Sequence, residues 1–183
     1  SGQIGADRVA HAPPDGYTIG GFNDSIMTML PNMGTPLGWD ILRDFEPVSL
    51  VATVEWGLVA SKDSGINSAA DLIAQAKARP GAINFGSGGV GSPQHIAMEL
   101  FASQAGIKLT HVPYKGASQA AAGVAAGEVP VAFQGLATVA GLARGGRLKL
   151  VGLTTPGPMA EFPGVPTVSQ SGLPGFQFNS WFA

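Results

Sequence analysis

The chain has 183 residues, enough to bury a core, with 10 basic against 12 acidic side chains and a net charge of −2. That balance argues against nucleic acid or a polyanionic membrane surface as a partner. Without cysteine there is neither a disulfide framework nor a thiolate metal site, and 12% charged residues beside 27 glycines and 14 prolines describe an α/β protein with closely packed helices.

From the amino terminus, Ser1-Gly2-Gln3-Ile4-Gly5 has neither the basic nor the apolar region of a signal peptide. Ala12-Pro13-Pro14-Asp15-Gly16-Tyr17 marks a turn into a strand expected over 17–22. An alternation then begins: strand 48–60, helix 69–78, strand 82–85, helix 93–105, strand 109–113, helix 117–126, strand 129–133, helix 136–144 and strand 148–153. Ser68-Ala69-Ala70-Asp71 reads as a capping box, Gly106 and Gly127 as helix stops, and Pro80-Gly81 as a turn. The weakly charged stretch from Gly116 to Ala143 is broken by Glu128, Pro130 and glycines, so it reads as buried helices and a strand rather than a membrane span. After Leu153 a proline-punctuated run holds one short helix, 167–171, and the chain stops at Phe178-Asn179-Ser180-Trp181-Phe182-Ala183 inside an expected strand. Alternation with short connections implies parallel strands with helices on both faces, and ligands of such sheets bind beyond the carboxyl ends of the strands.

Three strand-to-helix loops meet that description: 86–92, 114–118 and 134–136. The first, Gly86-Ser87-Gly88-Gly89-Val90-Gly91-Ser92, has four glycines in six residues, so main-chain N–H groups can converge on one point beside a helix amino terminus. Ser92 is placed to cap that helix, and Pro93 sits at its first position, where a missing N–H costs nothing. The loop satisfies G-x-G-x-x-G, but no Asp or Glu lies between Glu99 and Glu128 to hold a ribose, and Ser92-Pro93 stands where a P-loop needs Lys-Ser/Thr. A carboxylate needs only a few N–H and hydroxyl donors.

Other residues carry two readings each. His95 is either a donor to the ligand or a surface or capping partner; His111 reads as a packed or edge strand residue rather than a ligand, and His11 as solvated. The three lack zinc-site spacing and an accompanying acidic cluster, so no metal and no cofactor are expected. Lys115 is either a steering charge or a solvated one, and Trp39 and Trp56 read as packing residues. Gly116-Ala117-Ser118-Gln119-Ala120 nearly matches a nucleophile elbow, yet its last position is Ala and no histidine follows His111, so Ser118 is a poor nucleophile and the chain is not expected to be an enzyme. The competing function is an enzyme that uses the glycine-rich loop for a nucleotide or phosphorylated substrate.

Seven segments together resemble the periplasmic solute-binding proteins of tripartite tricarboxylate transporters, the Bug family. They are Ala12 to Thr18, Asp44 to Val48, Gly86 to His95, His111 to Gly116, Phe162 to Val168, Gly172 to Phe176 and Ser180-Trp181-Phe182. The resemblance implies a periplasmic-binding-protein-like, type II α/β fold: a partial first lobe over 1–60 with a crossing strand, a second lobe over 61–175 carrying the ligand site, and a truncated return strand over 176–183. It implies an internal fragment, because the family's first-lobe glycine loop and carboxyl-terminal segment are missing. It implies a periplasmic receptor that captures a small organic acid and passes it to membrane permease subunits, and truncation of this kind is expected to favour self-association. Carried over by position, Ser87, Gly88, Gly89, Val90, Gly91, Ser92 and His95 match the carboxylate loop, and Tyr114, Lys115, Gly116, Ala117 and Ser118 match the adjoining loop. Gln134 is also placed at the site, and Trp181 on the return strand as an apolar wall. The family commonly has acids near the third loop, where this chain has Pro130 and Gln134.

Overall fold

The structure, a computed structural model, describes residues 2–34 and 36–183. In chain order the elements are α1 (Gln3–Ala10), β1 (Ala52–Ala60), α2 (Ala69–Ala78), β2 (Asn84–Ser87), α3 (Pro93–Ala105), β3 (Thr110–Pro113), α4 (Ala117–Ala126), β4 (Val131–Gly135), α5 (Leu136–Arg144), β5 (Lys149–Leu153), α6 (Val168–Ser171) and β6 (Asn179–Phe182). A π-helical turn, Ser25–Met29, and a 3-10 turn, Leu30–Met33, follow α1. The chain divides into two compact units, one of residues 1–54 with 180–183 and one of 55–179.

The first unit is small. Ala6 on α1 packs with Met27 and Trp39, and Phe22, Phe45 and Trp181 border that cluster. Phe22 and Ala183 exchange both main-chain hydrogen bonds, at 2.8 and 2.9 Å, and Val51 N–H donates to Phe182 O at 2.8 Å. The strand expected over 17–22 does not form; only an isolated bridge joins Asn23 to Phe182. Tyr17 and Ile19 lie exposed, so that segment's alternation has no core to face.

The second unit holds the sheet. Its strands run in the order β3-β2-β4-β1-β5. Strands β2, β3 and β4 are parallel, as the alternation predicts, but β1 is antiparallel to both β4 and β5. Direction of that kind is set by which strands meet after the chain returns, and no local signal in 48–60 encodes it.

Each face of the sheet is covered. Phe133 on β4 meets Phe101 of α3 at 5.8 Å between centroids, and Phe176 closes the group at 5.6 Å from both. All three are fully buried, and each such side chain contributes about 1.5–3 kcal/mol relative to exposure. On the opposite face Ala132 and Val59 pack with Ala121 and Val124 of α4 and Val139 of α5. The small side chains of α4 let it lie close, which is where the alanine-rich composition is used.

Local chemistry fixes the helix limits. Ser92 Oγ caps α3 by accepting from His95 N–H at 3.4 Å, Pro93 occupies the first turn, and Gly106 ends the helix in the left-handed region at φ 63°. Ser68 Oγ accepts from Asp71 N–H at 3.1 Å, but Asp71 reaches past it to the Asn67 N–H at 2.9 Å, so the expected reciprocal box is displaced by one residue. The reciprocal box forms instead on α6, between Thr167 and Gln170.

Candidate functional site

Parallel strands β2, β3 and β4 all end on one side of the second unit, and the helices that follow them, α3, α4 and α5, begin there. The first turn of a helix leaves its N–H groups without intrahelical acceptors. Only α3 has a side-chain cap; α4 starts at Gly116 and α5 at Gly135 with none. Three amino-terminal helix ends, two of them uncapped, therefore present donors and partial positive charge on this side of the unit.

The glycine loop and the start of α4 are in direct contact. A side chain at Gly88 would place its Cβ 3.0 Å from Ala117 N and 3.2 Å from Gly116 C, so main chain lies against main chain. Tyr114 N–H donates to Ser87 O at 2.9 Å and extends the β2–β3 pairing into the loops. Gly89 and Gly91 take positive φ, 124° and 74°, conformations that favour glycine. Val90, at the loop tip, is 69% exposed.

Side chains hold part of the loop from behind. Ser87 is fully buried; its Oγ accepts from Gly89 N–H and donates to Gly89 O, both at 3.1 Å, and meets His111 Nε2 at 2.5 Å. His95 Nδ1 accepts from Gly91 N–H at 3.2 Å. The two imidazoles stack at 4.0 Å, with Phe85 against His111 at 4.9 Å. Burial, and then the charge of His95, push the His111 imidazole below its ordinary value. Gly88 and Val90 supply the loop amides that neither Ser87 nor His95 occupies.

Most of the expected site residues are brought together. Ser87, Gly88, Gly89, Val90, Gly91, Ser92 and His95 form one loop, and Tyr114, Gly116, Ala117 and Ser118 adjoin it through the Gly88 contact. The hydroxyls of Ser87 and Ser92 are engaged inside the loop, whereas Ser118, in the first turn of α4, is exposed. The Tyr114 phenol turns away to Glu128 Oε2 at 3.0 Å. Lys115 is exposed. Gln134 is fully buried at the end of β4, with neither Oε1 nor Nε2 partnered. It lies on the face of the sheet that meets α4 and α5, since Ala132, two residues before it, packs there. Trp181 belongs to the first unit.

Sequence reasoning missed the role of His111. Its contact with Ser87 spans 24 residues and arises because parallel register sets Phe85 beside His111. The pair superficially resembles a nucleophile and base, but the hydroxyl is fully buried and tied to Gly89, and rings flank the imidazole. Among the described residues no group of His, Asp or Glu could hold a metal ion, and no helix is long and apolar enough to cross a membrane.

Comparison with known proteins shows the family and the fold. The family profile described as "Tripartite tricarboxylate transporter family receptor" matches residues 1–183. A protein encoded in the tcbD-tcbE intergenic region of Pseudomonas sp. strain P51 is 35% identical over 182 residues, covering 98% of this chain and 54% of the relative. BugT of Bordetella pertussis is 32% identical over 187 residues, covering 100% and 56%. Among solved structures, Rpa4515 of R. palustris with adipate superposes with a TM-score of 0.92 at 32% identity, covering 100% of this chain and 61% of that one. MatC from Rhodopseudomonas palustris with bound malate gives 0.89 at 25% identity, covering 99% and 62%. The periplasmic binding protein BugD gives 0.88 at 26%, covering 99% and 60%. The fold is thus the periplasmic-binding-protein-like α/β type, and the chain spans about half the length of the curated relatives it matches.

Proposed function

We propose, given that this chain belongs to the family of tripartite tricarboxylate transporter receptors, that its second unit seats one carboxylate of a small organic acid on main-chain amides. The observation that carries this reading is the contact of Gly88 with Ala117 and Gly116, which joins the glycine loop to an uncapped helix start. Donors come from Gly88, Val90, Ala117 and Ser118, and Ser118 adds an exposed hydroxyl. Gly89 and Gly91 shape the loop, Ser92 caps the helix behind it, and Lys115 contributes long-range attraction only. Neutral donors in fixed positions suit reversible capture, because nothing in the seat reacts with the bound acid. The adipate and malate carried by two structural neighbours support the ligand class. The receptor acts in the periplasm and hands its ligand to membrane permease subunits, as the family description supports.

Titration calorimetry of the chain against adipate, malate, succinate, glutarate and a nucleotide panel tests the reading. Carboxylate binding without nucleotide binding supports it; tight nucleotide binding with turnover contradicts it.

A further inference from the structure

The His95–His111 stack grips the glycine loop at two peptides. His95 Nδ1 accepts the Gly91 N–H at 3.2 Å, so that nitrogen carries no proton in this arrangement. His111 Nε2 meets Ser87 Oγ at 2.5 Å, and that oxygen accepts the Gly89 N–H at 3.1 Å. The groups facing the pair are few. From α3, Glu99 Oε1 stands 3.8 Å from His95 Nε2. Strand β2 presents Ser87 and Phe85, which do not titrate in this range, and β3 presents His111 itself. In the loop after β3 the Tyr114 phenol is turned to Glu128, and Lys115 is exposed.

Ser87 gives its hydroxyl hydrogen to Gly89 O, so His111 Nε2 is the donor in that pair, and the ring nitrogen that accepts from the loop is His95 Nδ1. Once protonated, His95 Nδ1 can no longer accept from Gly91. Rings stacked at 4.0 Å do not tolerate two like charges, so the pair takes one proton. Glu99 stands beside His95, and burial disfavours a charged His111.

We propose that His95 and His111 are positioning residues that set which loop amides face the ligand, and that a proton on His95 Nδ1 turns the Gly91 N–H from the imidazole to the bound anion, so that capture takes up a proton. This rests on the carboxylate reading of the loop given above. The proton comes from solvent and no bond to the ligand forms. His111 acts through Ser87, which keeps Gly89 in place while Gly91 moves.

The probe is the tightest of adipate, malate, succinate and glutarate, all largely ionised between pH 6 and 8. Calorimetry in buffers of different ionisation enthalpy reads the protons exchanged per ligand bound. The expected result is fractional proton uptake and a Kd about three- to tenfold lower at pH 6 than at pH 8, since uptake of one full proton changes Kd about tenfold per pH unit. In His95→Gln the amide oxygen still accepts from Gly91 but does not titrate, so uptake and pH dependence disappear. His111→Gln weakens binding at every pH and keeps the uptake; if that variant fails to melt cooperatively, His95→Gln decides alone. Wild-type binding with no proton exchange, or equal uptake in His95→Gln, overturns this inference and leaves the receptor reading standing. No binding of any of the four acids overturns both.

Discussion

Replacing Gly88 with Ala tests the seat where the two loops touch. The added Cβ stands 3.0 Å from Ala117 N and 3.2 Å from Gly116 C, and both neighbours are main chain that no rotamer change can clear. Either α4 retreats by a few tenths of an ångström or the glycine loop tilts. Overpacking of this kind costs about 1–3 kcal/mol of stability. The methyl group also occupies the 2.7–3.2 Å range in which an acceptor oxygen would sit on Ala117 N. Losing one hydrogen bond to a charged group costs about 1.5–3 kcal/mol, which is about 10- to 200-fold in Kd. Urea unfolding and calorimetry on the same preparation separate the two losses. A Gly88→Ala variant that remains folded and binds its carboxylate with wild-type affinity would refute the claim that the ligand lies on these amides.

Three other outcomes follow from the same structure. The folded-state His111 pKa is depressed, so below the ordinary imidazole value of 6.5 the unfolded chain binds more protons than the folded one. Urea stability should therefore fall as pH drops from 7 to 5, and His111→Gln should flatten that slope; an unchanged slope contradicts the assignment. Gly141 lies in α5, exposed, with open space where a Cβ would go, so Gly141→Ala should raise stability by about 0.5–1 kcal/mol in urea unfolding. Tyr17, Leu42, Val48 and Val51 are exposed in the first unit, and sedimentation should detect self-association that weakens when Val48 and Val51 become Lys. A strict monomer at high concentration speaks against that.

Where structure is written locally, the sequence was legible. Helices α2, α3, α4 and α5 form within the expected limits, and Ser68, Ser92, Gly106 and Gly127 act within one turn of the ends of α2, α3 and α4 that they mark. Strand limits drift more: the strand expected from residue 48 begins at Ala52, and Asn84–Ser87 and Val131–Gly135 sit two residues beyond expectation, because partners rather than local residues decide where pairing stops. Helix α1 escaped notice: it carries a glycine at position 5 and begins at a Gly2 that provides no side-chain cap. The candidate loops were legible from their glycines and their place after strands. The buried wiring behind them was not. Ser87, His111 and His95 meet only once β2 and β3 pair in parallel, and Gln134 is left without side-chain partners only once the packed sheet buries it.

A crystal structure of this chain with its tightest carboxylate tests the central claim most directly. The account predicts carboxylate oxygens within about 3.2 Å of main-chain nitrogens in the Gly88–Gly91 loop and in the first turn of α4, with no Lys or Arg side chain in contact. A carboxylate held instead by an ion pair with Lys115, or bound away from Gly88 and Ala117, would contradict it.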